Sequence, residues 1–371
     1  MITAIYIKNF KAFKTADISP ANLTLLTGLN GTGKSTVIQS LLLLRQSFLK
    51  QTLPYVGLTL NGDYVAIGNG KDALCWDSET QDLYFEVEWD RQFLTKFDFT
   101  YQPDSDLQKT KSYEFPSSFN FLTQSLFNLD FQYLNAERIG PKFIFPYSLH
   151  HVENLRTLGN SGQFTAHYIA VNKNRKISIP ALRHKDNKNL SLLYQLDAWM
   201  GEISPGVSIS ATVNQFLNGV EMRFKFDMGE GFTDEFNSLN VGFGLTYALP
   251  VVTAILSSKP GDLLIIENPE SHLHPAGQAM IGKLCALAAE AGVQIFIESH
   301  SDHILNGIRV AVKHKMIAPE NVAVYFFERD ANSKGHHVDI INPVIDENGR
   351  INRKPKFFFD EWGKQLDELI K

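Results

Sequence analysis

Residues 28–35 read Gly-Leu-Asn-Gly-Thr-Gly-Lys-Ser and satisfy the pattern G-x-x-x-x-G-K-[ST] at every fixed position. Such a loop demands a strand before it and a helix after it. The sequence supplies both. Residues 22–26 read as a strand after the Ser19-Pro20 break, and residues 36–49 are long and apolar enough for a buried helix. Glycines at 28, 31 and 33 let successive backbone N–H groups converge on phosphate oxygens, and the helix N-terminus adds partial positive charge. The loop therefore predicts a nucleoside-triphosphate site. Lys34 is placed to reach the β- and γ-phosphates, and the Ser35 hydroxyl to ligate Mg²⁺. Asn30, Gly31, Thr32, Gly33, Lys34, Ser35 and Thr36 form the expected ATP contact set.

The rest of the chain tells where that loop is housed. Residues 3–7 alternate as a strand, and residues 82–89 and 96–101 alternate with aromatics, as antiparallel strands do. From residue 241 the pattern returns to helices and apolar strands, with helices expected at 245–256 (Pro250 within it), 277–291 and 302–314. Strands are expected at 262–266 and 294–297. The two α/β stretches at opposite ends of the chain predict one split domain, and neither repeats nor sustained heptads interrupt it.

A second box follows far downstream. Leu263-Leu264-Ile265-Ile266-Glu267-Asn268-Pro269-Glu270 is an apolar strand ending in carboxylates, the place for a second Mg²⁺ contact and a base for the attacking water. Glu267 lies 233 positions after Lys34, too far for a small GTPase or nucleotide kinase. Ser271-His272-Leu273-His274-Pro275 comes next, and one strand later Glu298-Ser299-His300-Ser301-Asp302-His303.

In this order the phosphate loop, "IENPESHLHP" and "ESHSDH" resemble the ABC-type ATPase heads of the RecF, OLD and SMC group, chains often grouped with AAA-family ATPases. Residues 240–246, Asn-Val-Gly-Phe-Gly-Leu-Thr, sit where that family has its signature motif. Residues 133–141 resemble the L-x-A-x-R-x-G-P box of its RecF/OLD-like subset, and residues 343–360 resemble that subset's C-terminal extension, with its Phe357-Phe358-Phe359-Asp360. The resemblance implies an α/β phosphate-loop fold of ABC-head type, with a mixed or parallel central sheet, an antiparallel β subdomain and a small, mostly helical insertion. The expected segments are 1–55, the first half of the ATPase core, and 56–160, a β-rich lobe ending in the Arg138-Gly140-Pro141 box. An insertion at 161–235, the second half of the core at 236–330 and an extension at 331–371 follow.

It further implies a homodimer that sandwiches ATP between one subunit's phosphate loop and the other's Asn240, Gly242 and Gly244. The family's usual serine falls at Val241, leaving Asn240 as substitute donor. His300 matches the switch histidine, and Glu267 the Mg²⁺-linked carboxylate. Asn268 occupies the usual position of the catalytic glutamate, so Glu270 is the expected replacement base and hydrolysis is expected to be slow, since an amide cannot take up a proton as a carboxylate can. The family's nuclease members carry an additional acidic domain, for which the 30 residues after Ile341 leave no room. That implies a separately encoded effector, a nuclease or toxin, in a bacterial anti-phage defence system. The alternatives are a RecF-like DNA-repair ATPase that clamps DNA and a low-turnover ATP-dependent scaffold.

The remaining features are less directive. His272, His274, His300 and His303 have spacings compatible with a metal but are read as nucleotide-switch or loop groups. His336-His337 reads as a solvated hairpin, and the aromatic tail 357–362 either docks a partner or packs on its own domain. Arg138 either senses phosphate or forms an ion pair near Glu137. Between Lys173 and Lys188 six basic residues face one acid, Asp186, which offers a nucleic-acid contact or simply a solvated loop. With 35 basic and 40 acidic residues the net charge is −5, which excludes coating of nucleic acid by bulk charge but leaves a local patch open. No apolar run spans a bilayer, no leader is visible, and Cys75 and Cys285 make neither a disulfide framework nor a zinc cluster, so a cytoplasmic protein is expected.

Overall fold

The computed structural model describes residues 1–329, 338–353, 355 and 361–370. Along the chain come β1 (Ile2–Phe10), β2 (Phe13–Ile18), β3 (Leu23–Gly28), α1 (Lys34–Leu49), β4 (Gly57–Thr59), α2 (Gly70–Ala73), β5 (Leu83–Trp89), β6 (Phe93–Thr100) and β7 (Leu107–Glu114). Next are β8 (Phe131–Leu134), α3 (Thr165–Asn172), α4 (Leu192–Gly201), β9 (Val207–Asn214), β10 (Gly219–Phe226) and β11 (Phe236–Asn237). Then follow α5 (Phe243–Ser257), β12 (Leu263–Glu267), α6 (Pro275–Glu290), β13 (Gln294–Glu298), α7 (Asp302–Lys313), β14 (Val322–Arg329), β15 (Val338–Ile341) and α8 (Glu361–Ile370).

These elements form two compact units, each discontinuous in sequence. The first comprises residues 1–128, 322–344 and 351–371. Its antiparallel sheet has the order β2-β1-β5-β6-β7-β4. β5 buries every second residue, and Phe85, Trp89, Phe97 and Phe99 point inward as the period-two pattern requires. Ring contacts such as Phe10 with Phe85 at 5.3 Å knit that face together. The β2 hairpin arm is absent from the sequence expectations. β3, whose first five residues are buried, pairs in parallel with β14 and carries the phosphate loop at its C-terminal end, and β14 pairs antiparallel with β15. β3 is buried along this length although it reads Leu-Thr-Leu-Leu-Thr-Gly, with two buried threonines among its leucines.

The second unit comprises residues 129–321 and 345–350. Here β12 pairs in parallel with β8 and β13, both as apolar as β3. α5 runs through Pro250 without a break in its assignment, and α6 and α7 lie at the expected places. The expected insertion at 161–235 is not helical alone. Beside α3 and α4 it holds most of a three-stranded antiparallel sheet, order β11-β10-β9, with β11 just beyond it. His336, His337 and the stretch 356–360 of the aromatic tail lie outside the described residues, as does the side chain of Trp362.

Candidate nucleotide site

In the first unit the loop has the backbone its glycines predict. Gly28 takes φ +136°, and a Cβ there would lie 2.2 Å from the carbonyl oxygen of Phe327 on β14, so only glycine fits at this strand end. Gly33, at φ 97°, is the N-cap of α1 and offers no side chain to its free N–H groups, and no acidic residue occupies the helix's first turn. The end is thus open to an anion. Asn30 and Gly31 are exposed, while Thr32, Lys34 and Thr36 are buried. The Lys34 ammonium is folded back on the loop, donating to the carbonyls of Gly28 at 3.0 Å and Leu29 at 2.6 Å. The Thr32 hydroxyl donates to Leu29 O at 2.7 Å. The loop's own carbonyls thus hold the Lys34 ammonium.

In the second unit the acidic box ends β12. Glu267 accepts hydrogen bonds from the Tyr133 hydroxyl at 2.9 Å and from Ala136 N at 3.2 Å. Burial raises its carboxyl above the usual range, and these two bonds and Arg138 only partly offset it. Burial and the neighbouring carboxylate likewise push the Tyr133 hydroxyl up. Asn268 is held at φ 43° with its N–H on Glu298 O at 2.7 Å. Glu270 accepts from His300 N at 2.9 Å through Oε1. Among the described residues, Glu270 Oε2 and Asn268 Oδ1 are buried and meet no hydrogen-bond partner.

The His300 ring is exposed, and the following Ser301 caps α7, accepting from His303 N and Ile304 N. Asn240 and Gly242 are exposed at the start of α5, where Gly242 is an N-cap without a side-chain bond. Gly244 also has a packing constraint, since a Cβ there would stand 2.5 Å from His272 O. The His272 ring meets Phe243 and Tyr247 at 4.8 and 4.7 Å, and His274 caps α6. Among the described residues the grouping with metal-ligand spacing is instead His184, Asp186 and Glu202. Lys185 lies within 4.0 Å of both acids, so this grouping already has its cation.

Residues 23–306 match the family described as "AAA domain, putative AbiEii toxin, Type IV TA system". The chain belongs to this AAA-domain family. Residues 317–369 match a second family, described as "Protein of unknown function (DUF3696)". No curated protein matches. Among solved structures, the chain resembles an SmcHead bound to the C-winged helix domain of ScpA at 12% identity and TM-score 0.54, covering 93% of this chain and 98% of that one. It also resembles an Smc head domain with an extended coiled coil, bound to the C-terminal domain of ScpA derived from Pyrococcus furiosus. That match has 12% identity and TM-score 0.51, and covers 100% and 99% of the two chains. The fold is thus that of an ABC-type ATPase head, and the chain is an ATPase of the AAA class.

Sequence reasoning named Arg138 without finding what it holds, and gave Tyr133 no role. Apart from the local Asn135 carbonyl, the partners of these two side chains are 109 to 134 positions away. Arg138 is 2% exposed and directs its donors at main-chain carbonyls of Asn135, Tyr247, Glu267 and Asn268. It neither faces phosphate as a free cation nor pairs with Glu137. Burial pushes its guanidinium down to about 10, so it stays charged at neutral pH. The aromatic residue just before the box was the available signal for Tyr133; for Arg138 the box itself was the signal, but nothing local encodes the distant carbonyls it holds.

Proposed function

We propose that the chain binds ATP and hydrolyses it slowly to ADP and phosphate, closing as a homodimer around the nucleotide to control a separately encoded effector. The observation that carries the reading is the buried Glu270 Oε2, an acceptor without a partner, on the AAA domain's acidic box. Its other oxygen is fixed by His300 N, so the free one is aimed by a rigid backbone. In this reading Lys34 leaves the carbonyls of Gly28 and Leu29 for the β- and γ-phosphates, and the N–H groups of residues 31–36 cradle them. Glu270 takes the proton of the attacking water as its oxygen bonds the γ-phosphorus; the bond from that phosphorus to the bridging oxygen breaks, and ADP leaves with the bridging oxygen while phosphate keeps the water's. Asn268 orients that water without accepting its proton. Ser35 and Glu267 are the hard oxygen donors that would hold Mg²⁺, Glu267 by exchanging its bonds to Tyr133 and Ala136, and the ion would supply charge neutralisation at the phosphates. Asn240, Gly242 and Gly244 of the second copy meet the γ-phosphate at the uncapped start of α5. His300 completes that contact.

The family's printed description names a toxin of a toxin–antitoxin system, which supports a setting in bacterial defence and an effector such as a nuclease or toxin. Lys34→Ala should abolish binding of a fluorescent ATP analogue. Glu270→Gln should keep binding and lower phosphate release by roughly 10²-fold or more. Unchanged release in Glu270→Gln would assign the base elsewhere. Accumulation of an ATP-dependent dimer in that variant, read by light scattering, tests the closure.

A second reading, a DNA clamp, is favoured by one observation. Lys173, Arg175, Lys176, Arg183, Lys185 and Lys188 are all exposed.

A further inference from the structure

Arg138 stands where two separated pieces of the second unit meet: the first turns of α5 and the end of β12. Its Nε donates to Tyr247 O at 3.2 Å, and its guanidinium lies 5.4 Å from the centre of the Tyr247 ring. Nη1 and Nη2 donate to the successive carbonyls of Glu267 and Asn268 at 2.6 and 2.5 Å. A planar fork suits two adjacent acceptors; a single ammonium does not. The peptide it grips belongs to Asn268, held at φ 43°, a left-handed conformation that asparagine adopts more readily than most non-glycine residues. On its other side that residue is held by Glu298 O at 2.7 Å. Two residues on, Glu270 takes the N–H of His300. A burial this complete for a cation is retained where geometry is fixed by it.

We infer that Arg138 is a positioning residue that transmits the placement of the α5 N-terminus, through the Asn268 peptide, to Glu270. What docks at the uncapped start of α5 then decides whether the base is aligned for hydrolysis. The inference rests on the hydrolysis reading above. It is separable from it because the hydrogen bonds of Arg138 are made to residues of the second unit and none to the phosphate loop, so nucleotide affinity and turnover should part.

The test uses the full chain with Arg138→Lys, Arg138→Ala, Glu270→Gln and the Arg138→Lys/Glu270→Gln double variant. Phosphate release and affinity for a fluorescent ATP analogue are measured on each. Arg138→Lys, which keeps charge and most of the volume if the alanine variant fails to fold, should bind within about 3-fold of the parent. Its turnover should be roughly 10- to 100-fold slower, the scale of a small misplacement of a reacting group. The double variant should be no slower than Glu270→Gln alone, because both changes disable one base. Turnover of Arg138→Lys within twofold of the parent overturns the inference, as do multiplying losses in the double variant or affinity falling in step with turnover. A parent that releases no phosphate above background overturns the hydrolysis reading and this inference together. With a parent that turns over, a failure among the variants counts against the role of Arg138 alone.

Discussion

Gly242 and Gly244 share a motif, but the structure gives them unlike constraints. At Gly242 a Cβ would meet nothing within 4 Å, so packing within the unit does not require glycine there. At Gly244 the same atom would press on His272 O at 2.5 Å, at the foot of the Phe243–Tyr247–His272 ring cluster. Backbone cannot yield as a flexible side chain can. Gly244→Ala should therefore destabilise the fold by about 1–3 kcal/mol, the usual cost of overpacking, while Gly242→Ala should melt like the parent and weaken only ATP-dependent dimerisation. Thermal denaturation of the two variants side by side checks this. Equal melting temperatures would remove the packing argument and return Gly244 to the nucleotide.

Among elements, α4 shows how a helix and a sheet are tied by one carboxylate. Asp197 accepts from Ile209 N at 2.8 Å and from the Ser208 hydroxyl at 3.0 Å, both on β9. β9 is the edge of its sheet, and an edge N–H satisfied by a side chain is protected from stray pairing. Burial raises this carboxyl to about 6 even though these bonds and Lys225 pull it down. Its folded value thus exceeds the unfolded one, so the folded state holds the proton longer and stability falls as pH rises from about 4 to about 6. Asp197→Asn should flatten that part of the stability curve, measured as denaturant midpoints at successive pH values. An identical slope in parent and variant would mean the group does not titrate there. The same sheet marks the limit of what was legible. β9 reads Val-Ser-Ile-Ser-Ala-Thr-Val-Asn, a strict apolar–polar alternation that carried a strand signal, but without the aromatics that made β5 and β6 stand out. β2 was hidden behind a tight turn at Asn9 and Lys11, both at positive φ without being glycine. By contrast β12 and β13 declared themselves, because strands covered on both faces carry unbroken apolar runs. The phosphate loop was legible for the same kind of reason: its chemistry is local. The links from Arg138 and Tyr133 to the acidic box are made by chain more than a hundred residues away, and no spacing rule encodes them.

At the scale of the whole molecule, charge separates the two readings of what ATP binding controls. A net charge of −5 opposes a polyanion at long range. Beyond about 8 Å at physiological salt that field is screened, and only the local surface matters. Locally, Lys173, Arg175, Lys176, Arg183 and Lys188 are exposed, while Lys185 is engaged by Asp186 and Glu202 at 3.9 and 4.0 Å. A strip of this kind contacts backbone phosphates without reading bases, so its signature is steep salt dependence with little sequence preference. If the chain clamps DNA when ATP is bound, reversing Arg175, Lys176 and Arg183 to glutamate should abolish that binding. The parent's log affinity should then fall with log salt at a slope of roughly −0.9 per phosphate neutralised, about −3 for three contacts. The measurement is anisotropy of labelled duplex at several salt concentrations, with and without ATP. Binding that ignores ATP, or that survives charge reversal with its slope intact, takes the strip out of the mechanism. The partner of the ATP-bound form is then sought among proteins, where the effector reading places it.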